Sequence, residues 1–348
     1  MQAWLIDKLG SITNLHLGEI PEPAPGPHEV VLRMIYAALN PADRYLAEGQ
    51  YPARPQFPHV LGRDGVGRVM AVGAAVTRWR IGDTAVILRG PVGVTAPGTF
   101  SRLTAVSADS LTDVPPGWSL EQAAGAALTY MTAWQSLTQW GGLHIPQDPL
   151  FAADAAATPE ESAKRPAVVL VTGASGGVGV AAVQLASAME YTVAAFSRSP
   201  EKRRALLDLG AAVVLDPADS QWRKVLLQKL DGRRVDLVVD NIGGPQFTEL
   251  LDVMAAWGKI SVVGRLAGPV PNLNTASLFF RRLRIGGVAV GDYSRPQAAA
   301  VWQNALALLA KTGQRPQIDR IFEFSELPAA FDRLAAGPLG KVLLRVGA

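Results

Sequence analysis

The chain has 348 residues, 49% of them apolar and 18% charged, which is enough for two units with their own cores and excludes a disordered chain. A net charge of +3 is too small an excess to indicate nucleic acid, and no RNA- or DNA-binding motif accompanies it. No apolar run approaches the roughly 18–20 residues of a membrane span, and the absence of cysteine excludes disulfides, thiolate nucleophiles and cysteine-bearing zinc sites.

In chain order, residues 1 to about 125 read as short strands at 3–6, 29–36, 65–72, 84–88 and 101–106, parted by turns rich in Gly and Pro. The start lacks a basic segment followed by a long apolar one, so a signal peptide is not expected and a cytoplasmic protein is. Four prolines between positions 21 and 27 make that stretch a loop, because a central strand cannot accommodate them. A β-rich barrel or sandwich is predicted here. From Ser119 the pattern turns helical over 122–139. The stretch 145–165, rich in Ala, Pro and acidic residues, reads as a surface loop, with a lid or partner site as the alternative. Strands and helices alternate from 167 to about 264, with later strands at 212–215, 236–240 and 260–263, which predicts a doubly wound parallel sheet. Beyond it lie an apolar segment bearing Arg281, Arg282 and Arg284, helices near 298–310 and 327–335, and a last strand at 341–346.

The most informative stretch opens that alternation. The apolar run Val168–Val171 leads through Thr172 and Gly173 into Ala174-Ser175-Gly176-Gly177-Val178-Gly179, and Val178, Ala181, Ala182, Leu185, Ala188 and Met189 then recur at helical spacing. Strand, glycine turn and helix form the setting in which a dinucleotide fingerprint carries weight. Here it reads Ala174-x-Gly176-x-x-Gly179, with alanine at the usual first glycine. Gly176 lets the backbone approach a pyrophosphate, Gly179 lets the helix pack on the strand, and the helix N-terminus offers N–H donors and partial positive charge. The next strand, 192–196, ends where a carboxylate would bind a ribose 2′-hydroxyl. The chain instead has Ser197-Arg198-Ser199-Pro200-Glu201-Lys202. A guanidinium and an ammonium suit a 2′-phosphate, so NADPH is the predicted cofactor, with Ser197, Arg198 and Lys202 at its phosphate. The alternative is a solvated helix start capped by Ser199, with Pro200 in the first turn.

These elements come with Asn40-Pro41-Ala42-Asp43, Pro58-His59-Val60-Leu61-Gly62-Arg63-Asp64-Gly65-Val66-Gly67, Gly82-Asp83, Gly125-Ala126-Ala127-Leu128-Thr129, Asp240-Asn241-Ile242-Gly243-Gly244 and Gly340-Lys341-Val342-Leu343-Leu344. In that order they resemble the medium-chain dehydrogenase/reductase superfamily, and within it the zinc-independent quinone oxidoreductase and enoyl reductase branches. The resemblance spans nearly the whole chain. It implies an α/β fold, a Rossmann doubly wound parallel sheet plus a β-rich GroES-like catalytic domain. Its divisions would be a catalytic domain at 1–125, an NADPH-binding domain at 126–265 and a return at 266–348 completing both. In metal-dependent members a cysteine stands at Asn40 and Gly-His-Glu at Gly62-Arg63-Asp64. Two usual zinc ligands are therefore replaced, the four histidines are not paired at ligand spacing, and no catalytic metal is expected.

Without a Lewis acid the easier hydride acceptors are quinones and α,β-unsaturated carbonyls (enones), which spread incoming charge over a conjugated system that one or two hydrogen-bond donors can stabilise. The resemblance implies Asn40 facing the reacting carbonyl or the nicotinamide, Asp43 and Tyr45 on the same loop, and Tyr51 as donor or proton relay. The plainer readings are a loop-capping amide for Asn40 and aromatic packing for Tyr51. Thr129 matches a position at the nicotinamide, with helix packing as its alternative. Asn241, Val263, Gly264 and Arg265 lie at strand ends on the cofactor side. Lys341 matches a lysine near the cofactor, a solvated lysine being the alternative. Arg281, Arg282 and Arg284 read as a solvated face beside an edge strand that pairs across a homodimer, or as a site for an anionic substrate tail. Val288-Ala289-Val290 replaces a tryptophan of enoyl thioester reductases and favours quinones or small enones over acyl-CoA or acyl-carrier esters. A non-catalytic NADPH-binding protein is the remaining alternative.

Overall fold

Ten consecutive extended residues, β3 (Glu29–Ala38), organise the first of two units. All but three of them are buried, as expected of a strand covered on both faces. The computed structural model describes residues 1–141, 143 and 165–347; of the stretch read as a surface loop at 145–165, all but Arg165 lies outside the described residues. β3 pairs along one edge with β5 (Asp64–Val72). Its other edge is shared: residues 29–33 pair with β7 (Leu103–Ser107) and residues 36–38 with β16 (Lys341–Arg345). With β6 (Thr84–Ile87), β8 (Leu111–Asp113) and β15 (Ile318–Glu323) this makes a seven-stranded sheet. A three-stranded sheet of β1 (Gln2–Ile6), β2 (His16–Glu19) and β4 (His59–Val60) packs with it around Trp4, Ile6, Leu32, Met34, Leu46 and Phe100. The five predicted strands of this region lie within two residues of their expected bounds. β2, β4 and β8, of four, two and three residues, are not among the strands predicted from sequence.

The second unit carries the doubly wound sheet. Its six parallel strands are β9 (Val168–Val171), β10 (Thr192–Phe196), β11 (Val213–Leu215), β12 (Val235–Asp240), β13 (Met254–Val262) and β14 (Arg284–Gly287). They run in the order β11-β10-β9-β12-β13-β14. The order reverses between β9 and β12, the place where open α/β sheets accept a ligand beyond the carboxyl ends of the strands.

The two units comprise Met1–Met131, Gly291–Leu306 and Arg315–Ala348, and Thr132–Val290 with Ala307–Gln314. The C-terminal return is thus divided: β14 extends the parallel sheet, whereas β15 and β16 complete the sheet around β3. The helix predicted over 122–139 is two, α2 (Leu120–Ala124) and α3 (Ala127–Thr138), interrupted at Gly125. A side chain on Gly125 would come within 3.0 Å of Lys341 Cγ, so the break accommodates the lysine stem. Among the described residues no helix is long and apolar enough to cross a membrane.

Candidate active site

Three strand ends meet beside Asn40. Ala38, the last residue of β3, pairs with Asp64, the first of β5, and with Leu343 of β16. The antiparallel register therefore brings Lys341, where β16 begins, alongside the residues just past the end of β3. Asn40 is extended there (φ −132°, ψ 148°) and precedes α1 (Pro41–Ala47), whose proline opens the helix. Its backbone N–H donates to Asp43 Oδ2 at 2.8 Å, so the third helical residue satisfies the chain end preceding it.

The side chains close into a network. Asn40 Nδ2 donates to Asp64 Oδ2 at 2.9 Å, and Lys341 Nζ donates to Asn40 Oδ1 at 2.7 Å and to the Leu39 carbonyl at 3.0 Å. The same ammonium lies 3.3 Å from Asp64 Oδ2. Arg63 pairs with Asp43 at 3.2 Å and donates to the Ala42 carbonyl at 3.0 Å. Asn40, Asp43, Asp64 and Lys341 are all buried. Buried ions require partners, and here two carboxylates face two cations. Burial nevertheless pushes the Asp43 carboxyl above the usual aspartate range, against the pull of Arg63 and the Asn40 N–H.

Gly62 prepares this arrangement. At φ +97°, it takes a conformation open to glycine, and a Cβ would lie 2.4 Å from Thr99 Oγ1. That hydroxyl donates to the Asp64 carbonyl at 3.0 Å. Tyr51 packs half-buried against the core, with the Arg63 guanidinium 4.4 Å from its ring centroid; its hydroxyl has no hydrogen-bond partner among the described residues. Tyr45 lies half-buried on α1. The Thr129 hydroxyl turns back onto its own helix, 2.9 Å from the Ala126 carbonyl and 3.1 Å from that of Gly125. Asn40 and Lys341, expected at the acceptor and the cofactor, are here bound to each other, and Lys341 is buried rather than solvated.

In the second unit the fingerprint residues form the turn into α4 (Gly177–Ala188). Ala174 is buried beneath the loop, while Ser175, Gly176, Gly177 and Val178 are half-exposed along its lip. A Cβ at Gly179 would lie 2.3 Å from the Gly173 carbonyl oxygen, so this glycine permits the helix to pack on the loop. A Cβ at Gly176 would meet only that same oxygen, at 3.5 Å, leaving open space beside the helix N-terminus where a pyrophosphate would fit. Across β9 and β12, Thr172 Oγ1 donates to Asp240 Oδ1 at 2.6 Å and Asn241 Nδ2 to the Thr172 carbonyl at 2.8 Å. Burial raises the Asp240 carboxyl above the usual range, opposed by Thr172 and by the N–H groups of Ile242 and Gly243. The Val263 and Gly264 N–H groups both donate to the Asp240 carbonyl, and Arg265 beyond them is exposed.

Past β10, Ser197 is buried and Arg198 exposed, and Ser199 caps α5 (Pro200–Asp208) by accepting from the Lys202 N–H at 3.3 Å. The residue missed from sequence is Arg203. It donates to the Ser197 carbonyl at 2.7 Å, to that of Arg198 at 3.1 Å and to Asp216 at 3.1 Å, fixing the loop that carries the predicted phosphate-binding side chains. Three arginines within seven residues gave no signal to single it out. Arg281 and Arg282 do not converge on one point: Arg281 donates to the Leu251 carbonyl and Arg282 lies over the Trp257 ring.

The family model described as zinc-binding dehydrogenase matches residues 177–311, and that described as alcohol dehydrogenase GroES-like domain matches residues 26–116. A quinone oxidoreductase of Pseudomonas aeruginosa is 31% identical over 90% of this chain and 89% of its own. The human synaptic vesicle membrane protein VAT-1 homolog is 27% identical over 93% of this chain and 81% of its own. Among solved structures, an NAD-dependent alcohol dehydrogenase superposes with a TM-score of 0.86 at 28% identity, covering 100% of both chains. A Pseudomonas syringae quinone oxidoreductase superposes at 0.81 with 26% identity over 99% of each. The zinc in the first description does not fit the residues around Asn40. Both carboxylates there are already paired with Arg63 and Lys341, both amide atoms of Asn40 are engaged, and no three His, Cys, Asp or Glu side chains gather at a metal-binding spacing among the described residues.

Proposed function

The chain belongs to the medium-chain dehydrogenase/reductase superfamily, in its zinc-independent quinone oxidoreductase branch, and from that premise we propose an NADPH-dependent reductase that passes hydride to quinones or enones without a metal. The observation that carries this reading is the set of groups around Asn40, where an ammonium and a guanidinium neutralise two buried carboxylates. Acceptors that delocalise charge need the least electrophilic help. When bound, the reduced nicotinamide would supply the hydride. The chain's own part is to hold the cofactor's pyrophosphate at Ser175–Val178 and the adenosine phosphate at Arg198 and Lys202, with Asn241, Val263, Gly264 and Arg265 at the strand ends on the cofactor side. Tyr51, its hydroxyl without a partner among the described residues and its ring under the Arg63 guanidinium, is the proposed donor to the acceptor oxygen.

This reading places the enzyme in the cytoplasm as a homodimer. β14 and β11 are the two edges of the parallel sheet among the described strands, and Phe279 and Phe280, close before β14 in the chain, are 63% and 76% exposed. The test is to mix the purified chain with NADPH or NADH and a panel of quinones, small enones and enoyl thioesters, following nicotinamide absorbance. Turnover of quinones or enones with NADPH preferred is the expected result. Preference for NADH, as the name of the similar alcohol dehydrogenase would suggest, or reduction of thioesters alone, would replace the reading. Tight NADPH binding without reduction of any acceptor would identify a non-catalytic cofactor-binding protein.

A further inference from the structure

We propose that Lys341 is a covalently tethered cation that positions Asn40 and Asp64, filling with an ammonium a cage of oxygens that would otherwise need a bound ion. The inference deepens the metal-free reading above and rests on it for its kinetic arm only. A primary ammonium has three N–H donors and no acceptor. Three oxygens from two stretches of chain meet it: Leu39 O at 3.0 Å and Asn40 Oδ1 at 2.7 Å from one, and Asp64 Oδ2 at 3.3 Å from the other. The triangle closes through Asn40 Nδ2, which donates to Asp64 Oδ2 at 2.9 Å.

This closure decides how Asn40 points. With its amide oxygen on the ammonium and its NH₂ on the carboxylate, every donor faces an acceptor, whereas the flipped amide would set NH₂ against NH₃⁺ and oxygen against carboxylate. Asp43 is neutralised separately by Arg63, so Lys341 is the cation paired with Asp64. The stem is buried against Gly125, which lacks the Cβ that would crowd it. Removing the ammonium therefore leaves a buried carboxylate without a cation and the Asn40 amide oxygen without its donor, the amide then held only through Nδ2, by Asp64 and the Ala38 carbonyl. Removing the stem as well leaves a hole the shape of propylammonium, the atoms from Cγ to Nζ, with the three oxygens that bind the ammonium at its far end.

The experiment uses the full chain with Lys341→Ala and Lys341→Met. Melting temperature, NADPH affinity and acceptor reduction are measured with propylammonium chloride and, at equal ionic strength, tetramethylammonium chloride, which has no N–H to donate. Lys341→Ala is expected to melt lower and to lose at least about tenfold in kcat, with NADPH affinity changed less than about threefold. Propylammonium should restore both melting temperature and kcat saturably, and tetramethylammonium should restore neither. Lys341→Met, whose side chain fills the hole, should show the same losses without rescue.

If Lys341→Ala does not fold, Lys341→Met/Asp64→Asn decides the matter. Removing the uncompensated charge should make it more stable than Lys341→Met alone. Parent-like melting and kcat in Lys341→Ala, equal effects of the two salts, rescue of stability without kcat, or no gain in the double variant would each overturn the proposal. A parent chain that reduces no acceptor would overturn the proposed function instead, and melting-temperature rescue would still test the cage.

Discussion

Tyr36 and Glu121 write a pH dependence into the fold through one hydrogen bond. Tyr36 Oη donates to Glu121 Oε1 at 2.7 Å, and that bond holds the Glu121 carboxyl below the usual glutamate range. A folded-state value below the unfolded one means that the unfolded chain binds the extra proton. Its stability is therefore present above the ordinary value of 4.5 and is lost as pH falls through the folded one. Tyr36→Phe should move the Glu121 titration upward by carbon NMR and flatten the acid limb of stability measured by urea denaturation. Arg198 gives the second prediction at this scale. A charge-assisted hydrogen bond contributes about 1.5–3 kcal/mol, so Arg198→Ser should weaken NADPH binding by roughly 10–100-fold and leave NADH binding within about twofold, by fluorescence titration. Equal losses for both cofactors would remove the 2′-phosphate from its side chain.

Among the elements, α4 separates two uses of glycine that look alike in the fingerprint. At Gly179 a methyl group would strike backbone atoms of Gly173 and Ala174 at 2.3 and 2.6 Å. Gly179→Ala should cost about 1–3 kcal/mol of stability and lower the melting temperature before any cofactor is added. At Gly176 the backbone is unstrained (φ −74°) and the added Cβ would meet only an oxygen at 3.5 Å. Gly176→Ala should therefore melt within the range of a neutral surface change, about 0.5 kcal/mol, yet bind NADPH more weakly if the methyl group stands, as proposed, where the pyrophosphate would approach. The pair is checked by calorimetry with and without NADPH. Loss of stability in Gly176→Ala, or its absence in Gly179→Ala, would reverse the assignment.

For the molecule as a whole, the β14 edge of the parallel sheet is the feature that calls for a second copy. A strand edge without a further strand beside exposed aromatic side chains is a template for pairing, and among the described residues β14 ends the sheet, with Ile285 38% exposed on it and Phe279 and Phe280 close before it in the chain. Sedimentation velocity is expected to give a dimer, and Phe279→Ser/Phe280→Ser a monomer with unchanged far-UV circular dichroism. A monomeric parent chain would refute the homodimer.

The sequence alone determined five of the six strands of the parallel sheet, because strand, glycine turn and helix are written within about thirty residues and each follows from local periodicity and backbone freedom, whereas β14 lay in a segment read only as apolar. It also carried Asn40, Asp64 and Lys341 as members of separate motifs. Their joining was decided only by the tertiary structure, which brings together residues 301 apart in the chain through the antiparallel register of β16 on β3. Arg203 was unreadable for the same reason, since which of several neighbouring cations turns back onto the loop depends on helix phase and on Asp216. Local chemistry specifies elements, but a buried charge finds its partner only when strand pairing fixes distances across the chain, and here that pairing made a lysine the cation of the site.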